Sequence, residues 1–171
     1  MVLFRVVGGQ VDRIRALSPD CEIDAGGVPV HWLADVRPAD SVALLATFDE
    51  TNAGMAIAMH ADASADSALE RLVNSAPRDN VRRRAAFWLG AARGRRGIDA
   101  VKDLLARPID SAVRRQAVEG LASNRDPEAI DLLISIARQE KDASIRRQAV
   151  NALGRSRDPR SQAFLEEVLK R

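Results

Sequence analysis

Two short stretches hold residues whose types could do chemistry. In SPDCEIDAGGVPVHWL, Cys21 lies between Asp20 and Asp24, with His31 ten residues further on. A thiol beside a histidine is the raw material of a nucleophile, provided the imidazole lowers the thiol pKa and the geometry permits a hydrogen bond. Spacing supplies neither condition. The plainer reading makes Cys21 a small core residue and His31 a strand residue beside Trp32. In AMHADASAD, His60 is flanked by Asp62 and Asp66. Carboxylates near a histidine can orient a metal ligand, but one His at this spacing matches no standard site. The text from Gly90 to Gly97 is glycine-containing but lacks a Lys-Ser/Thr ending and a preceding strand, so it is no phosphate loop. No catalytic, cofactor-binding or metal-ligating residue is assigned, and a non-enzymatic protein is expected.

Arginine is the most distinctive polar residue. Arg82, Arg114 and Arg146 recur at intervals of 32 residues, as do Arg83, Arg115 and Arg147, and again Arg93, Arg125 and Arg157. Six arginines and no acid lie between Arg82 and Arg96. Rows of guanidinium groups can hold carboxylates or phosphates, by charge and by a planar fork of donors. They can equally tie a structure together. Asp79, Asp110 and Asp142 precede the doubled arginines and are expected to pair with them, and Arg115 can reach Glu119 one turn on for a few tenths of a kcal/mol. Arginine in a first turn opposes the helix dipole, so something must compensate. Inter-repeat bonding is the preferred reading for the doubled arginines, and simple solvation for the turn residues Arg93, Arg125 and Arg157. All six of Arg83, Arg115, Arg147, Arg93, Arg125 and Arg157 are kept as candidate partner contacts.

Composition narrows the class. The 171 residues are 46% hydrophobic, only 4% aromatic and without Tyr, a balance that suits close-packed helices better than a β-sandwich. Lys plus Arg number 26 against 24 for Asp plus Glu, a net charge of +2 that does not by itself demand nucleic acid. A single cysteine rules out an internal disulfide and a cysteine zinc site. No run of about eighteen apolar residues is present to span a membrane. The start, MVLFRVVGGQ, lacks the profile of a signal peptide.

The elements that must position the arginines follow from a repeat. VRRQAVEGLASNRDP from Val113 returns as IRRQAVNALGRSRDP from Ile145. Sliding the chain by 32 residues aligns Ala85, Ala117 and Ala149, then Leu89, Leu121 and Leu153, then Val101, Leu133 and Leu165. Within a unit, Val113, Ala117, Val118 and Leu121 form one apolar stripe, and Ile130, Leu133, Ile136 and Ala137 a second. SNRDP separates them, with Asp126 as N-cap and Pro127 in the first turn of the next helix. Each unit is therefore a helical hairpin that must stack on its neighbours to bury its stripes. Ala53, Ile57, Ala68, Leu69, Leu72 and Val73 extend the registers backwards into a degenerate first unit, where Asp49 replaces the opening valine.

The pattern V-R-R-x-A-V-x-x-L-G-x-x-x-D-P followed by a second amphipathic helix resembles the short HEAT-like repeat of phycobilin lyase subunits and of many bacterial HEAT-repeat proteins. The resemblance covers about residues 49–171 and implies a mainly α fold, an α-α superhelix of about four helical hairpins. It also implies a binding scaffold more than an activity, with phycobilin lyase-like chromophore transfer as the enzymatic alternative. Residues 1–34 lie outside the period. Gly8-Gly9 and Ala25-Gly26-Gly27 each sit between strand-like runs and are expected to turn two β-hairpins, a small N-terminal β element. Pro38 opens a helix in the connecting segment 35–48, expected to pack between hairpins and array. The string SPDCEIDAGGVPVHWLADV resembles a segment preceding the repeats in bacterial HEAT-repeat proteins, several of them exported, which leaves cytoplasmic and periplasmic placement both open.

These elements define the expected function. A solenoid leaves an extended face free for a protein partner. Phe87 and Trp88 share a helix, so only one can point fully into the stack. The registers taken later by Glu119 and Asn151 put Phe87 on the more exposed side, as a candidate anchor. The alternative partner is a nucleic-acid backbone held by the arginine ladders, opposed by the low net charge and by nearby Asp126, Glu128 and Asp158.

Overall fold

Apolar stripes at helical spacing become paired helices in the computed structural model, which describes residues 1–170. Among these residues a two-stranded sheet is followed by nine helices. Eight of the helices form four hairpins: α2 (Thr51–Ala58) with α3 (Ser64–Ser75), α4 (Asp79–Ala92) with α5 (Gly94–Ala106), α6 (Ser111–Leu121) with α7 (Glu128–Gln139), and α8 (Ala143–Arg155) with α9 (Pro159–Leu169). The first helices of successive hairpins pack on one another, α2 on α4, α4 on α6 and α6 on α8. The second helices do the same from α5 to α7 to α9.

The repeated registers are the core. Val81, Val113 and Ile145 are buried, as are Ala85, Ala117 and Ala149 and then Leu89, Leu121 and Leu153. Small residues set how closely the helices approach. A Cβ placed on Gly120 would lie 2.2 Å from the Phe87 carbonyl oxygen, and one on Gly90 would lie 2.5 Å from that of Ala117. α4 and α6 therefore touch backbone to backbone, which no larger residue permits.

Helix starts follow the aspartates. Asp110, Asp142 and Asp158 occupy the N-cap positions of α6, α8 and α9 and accept amide hydrogen bonds from the first turn. Ahead of α7, Pro127 takes the cap position itself, while the Asp126 carboxylate still accepts the Glu128 amide at 3.0 Å.

The N-terminal third departs from expectation. β1 (Val2–Val7) and β2 (Gln10–Ala16) pair antiparallel through Gly8-Gly9, both at positive φ as a tight primed turn requires. The second hairpin is not formed. Gly26 and Gly27 do make a turn, with the Asp24 carboxylate accepting the Gly26 amide at 2.8 Å, but residues 17–37 contain no strand. Pro29 removes a ladder donor, and Val28, Trp32 and Leu33 are exposed with no apolar face to cover them. Cys21 and His31 are correspondingly exposed rather than core and strand residues. Helix α1 (Pro38–Leu45) starts at its proline and buries Val42 and Leu45. It does not separate hairpin from array: β2 and α1 each pack directly on α2, with Ile14 fully buried there and Phe4 against Phe48 at 5.9 Å.

Candidate functional site

The three arginine rows have three different environments. In the first row each guanidinium finds a local partner. Arg82 pairs with Asp79 in its own helix, and Arg146 donates to the carbonyls of Glu140 and Lys141 at 2.7 and 2.8 Å. Arg114 reaches Asp142 across the junction to the next hairpin, 3.7 Å away. Asp110 pairs with no arginine. It is spent on the α6 cap, accepting the Ala112 amide at 2.7 Å.

The second row is different. Among the described residues Arg83, Arg115 and Arg147 form no ion pair or hydrogen bond, so the inter-repeat pairing expected of them is absent. The aspartates are already committed to caps and to the first row. Nor does Arg115 reach Glu119, which instead meets Gln116 at 3.3 Å and Arg155 at 3.6 Å. Arg115 and Arg147 are exposed and Arg83 half-buried.

The third row splits. Arg125 and Arg157 are exposed and unpaired among the described residues, as solvated turn residues would be. Arg93 is the correction: it is buried and cannot serve as a surface contact. Its Nε meets Asp66 at 2.5 Å, while its terminal nitrogens donate to the carbonyls of Ala58 at 3.1 Å, Asp62 at 3.0 Å and His60. The cause is the end of α2, whose last carbonyls lack helical partners and carry the negative end of the dipole. A five-donor guanidinium satisfies them at one stroke. Asn124 does the same service one junction later, donating to the carbonyls of Gly90 and Gly94 at 2.7 and 3.0 Å. At the last junction Arg160 binds Asp131 at 2.9 Å and the Pro127 carbonyl at 3.0 Å. Asp66, Asn124 and Arg160 were not legible as bridging residues, because none sits in a repeated register with its counterpart.

The histidine stretches hold no reactive grouping. His60 is pinned between the Ala56 carbonyl at 2.8 Å and the Ser41 hydroxyl at 3.0 Å, joining α2 to α1. Asp66 is taken by Arg93 and by Arg96 at 2.7 Å. No group of three His, Cys, Asp or Glu among the described residues could hold a metal ion. No helix among them is long and apolar enough to cross a membrane.

What remains is a groove. About 360 Å³ of open space crosses α4, α6 and α8, lined by Phe87, Glu119, Ala122, Ser123, Ala152 and Arg155. Phe87 and Trp88 meet edge to face, ring centroids 5.1 Å apart, with the Arg84 guanidinium 5.0 Å from the Phe87 ring centre. Both rings are half-buried, but Trp88 packs on the core whereas Phe87 opens on the groove. Arg83, Arg115 and Arg147 stand one helical turn before Phe87, Glu119 and Asn151, so their row runs alongside the groove on the same helix faces. An aromatic wall, a floor of small residues and a cationic margin can accept an apolar side chain flanked by acids.

A family model for HEAT repeats matches residues 65–140 and again residues 98–171, more than half of the chain. No curated protein and no solved structure matches it. With four stacked helical hairpins and a repeat model laid over three of them, the chain belongs to the HEAT-repeat family, whose members generally serve as protein-interaction scaffolds.

Proposed function

We propose that this chain is a non-enzymatic scaffold that holds an acidic protein segment across α4, α6 and α8. An apolar side chain of that segment sits against Phe87 over Ala122 and Ala152, and its carboxylates face Arg83, Arg115 and Arg147. The observation that carries the reading is the row of three arginines without intramolecular partners beside an aromatic-walled groove. Every other repeated arginine near a junction is used by the fold; these are left for something else. Selection of displayed peptides on the immobilised protein tests it. Enriched peptides are expected to combine a large apolar residue with neighbouring Asp or Glu, and to be lost with Phe87→Ala. Enrichment that ignores acids and survives both Phe87→Ala and the triple substitution of Arg83, Arg115 and Arg147 by Gln would sink it.

The same unpaired row supports a second reading, sequence-independent contact with a nucleic-acid backbone. Three phosphate contacts would give a slope of about −2.7 in log affinity against log salt. Retention of duplex DNA at low salt with that slope would favour this reading over the first.

A further inference from the structure

We propose that the outer face of the last hairpin, α8 and α9, is a self-association surface on which a second copy of this chain docks through the same face. It is distinct from the groove and does not rest on what the groove binds. The repeat itself measures what is missing there. At one register Ala86 and Val118 are fully buried by the hairpin that follows them, whereas Val150 on α8 is half-exposed. At another, Leu104 and Ile136 are buried while Val168 on α9 is 49% exposed; Leu169 beside it is 86% exposed. Leu165 is half-buried where Val101 and Leu133 are buried.

The backbone shows the same gap. Gly90 lies against the Ala117 carbonyl of the next helix, but at the equivalent Gly154 a Cβ would meet nothing within 4 Å. Val150, Gly154, Leu165, Val168 and Leu169 thus continue the interface that joins one hairpin to the next, and the occupant that fits is a helical hairpin of the same kind. A second copy offers one such surface. Its opposite end is covered, because β2 and α1 pack on α2 and bury Ile14, Val42 and Leu45 there. Head-to-tail stacking is therefore blocked, and the pairing left is a two-fold one in which α8 crosses its mate near Gly154.

Sedimentation equilibrium of the 171-residue chain tests the proposal over about 1 μM to 1 mM, a span that covers weak to ordinary complexes. The expected result is a concentration-dependent rise from monomer to dimer. Gly154→Leu fills open space in the monomer, and the pair Val168→Glu with Leu169→Glu changes exposed positions, so neither should alter the helical circular dichroism. Each is expected to weaken the dimer at least about tenfold, while Phe87→Ala leaves it unchanged. A mass that stays monomeric throughout, or a dimer that survives both variants, would overturn the proposal.

Discussion

Arg93 and Asp66 meet 2.5 Å apart inside the stack, with 3% and 19% of their side chains exposed. The pair joins the turn after α4 to α3 in the preceding hairpin, and the same guanidinium closes the end of α2. Arg93→Ala should therefore cost about 3 kcal/mol, mostly from orphaned carbonyls, because Arg96 still faces Asp66. Arg125→Ala, at the equivalent register, should stay within about 0.5 kcal/mol. Urea midpoints of the two variants, measured together, check the contrast. Equal losses would show that Arg93 is not a special member of its row.

Close approach of α4 and α6 makes a second prediction. Gly120→Ala drives a methyl group into the Phe87 carbonyl and should destabilise by about 1–3 kcal/mol while displacing Phe87 from the groove. At Gly54 the nearest atom to an added Cβ is 3.8 Å away, an ordinary contact. Gly54→Ala should thus be neutral or stabilising by up to about 1 kcal/mol through helix propensity. Thermal melts of both variants decide it.

Acid stability depends on Asp142. Its carboxylate accepts from the hydroxyls of Ser144 at 2.7 Å and Ser111 at 2.8 Å and from the amide of Ser144 at 2.8 Å, bridging α6 and α8. Hydrogen bonds from Ser144 first, then Ser111, hold its pKa well below the usual carboxylate range. A depressed folded pKa stabilises the fold fully above the unfolded value, about 3.9, and progressively less as pH falls below it. Asp142→Asn should accordingly be less stable than the parent protein near neutrality, with the gap narrowing steadily as pH drops below about 4. A gap independent of pH between 7 and 2 would remove the carboxylate from the account.

The unpaired arginines yield the fourth. Replacing Arg83, Arg115 and Arg147 together by Gln removes no intramolecular ion pair, so each substitution should change stability by about 0.5 kcal/mol or less. Affinity for an acidic partner should fall by about tenfold or more. Differential scanning calorimetry beside a binding titration separates the two effects. A large drop in melting temperature would return this row to the scaffold.

Periodicity made most of the helical array legible. Val113, Ala117, Val118 and Leu121 lie on one face whatever surrounds them, because 3.6 residues per turn is a local property of the backbone. Repetition at 32 residues then requires that what buries one unit buries the next. The Gly8-Gly9 turn was equally local, since two positive φ angles select glycine. The glycines at 26 and 27 meet the same local demand, yet no hairpin follows. A ladder needs two strands with a face to bury, and the segment containing Pro29 has neither.

Side-chain partners were decided only by tertiary structure. Arg83 and Arg93 are the same residue type, and both recur at 32-residue spacing, yet one is left unpaired while the other is buried under a helix end. The difference lies in which orphan carbonyls and carboxylates another hairpin brings within 3 Å of each guanidinium. Sequence spacing specifies which face of a helix a residue occupies. It does not specify what stands opposite, because that depends on how far neighbouring helices approach, and here Gly90 and Gly120 set that distance through their contacts with another helix's backbone.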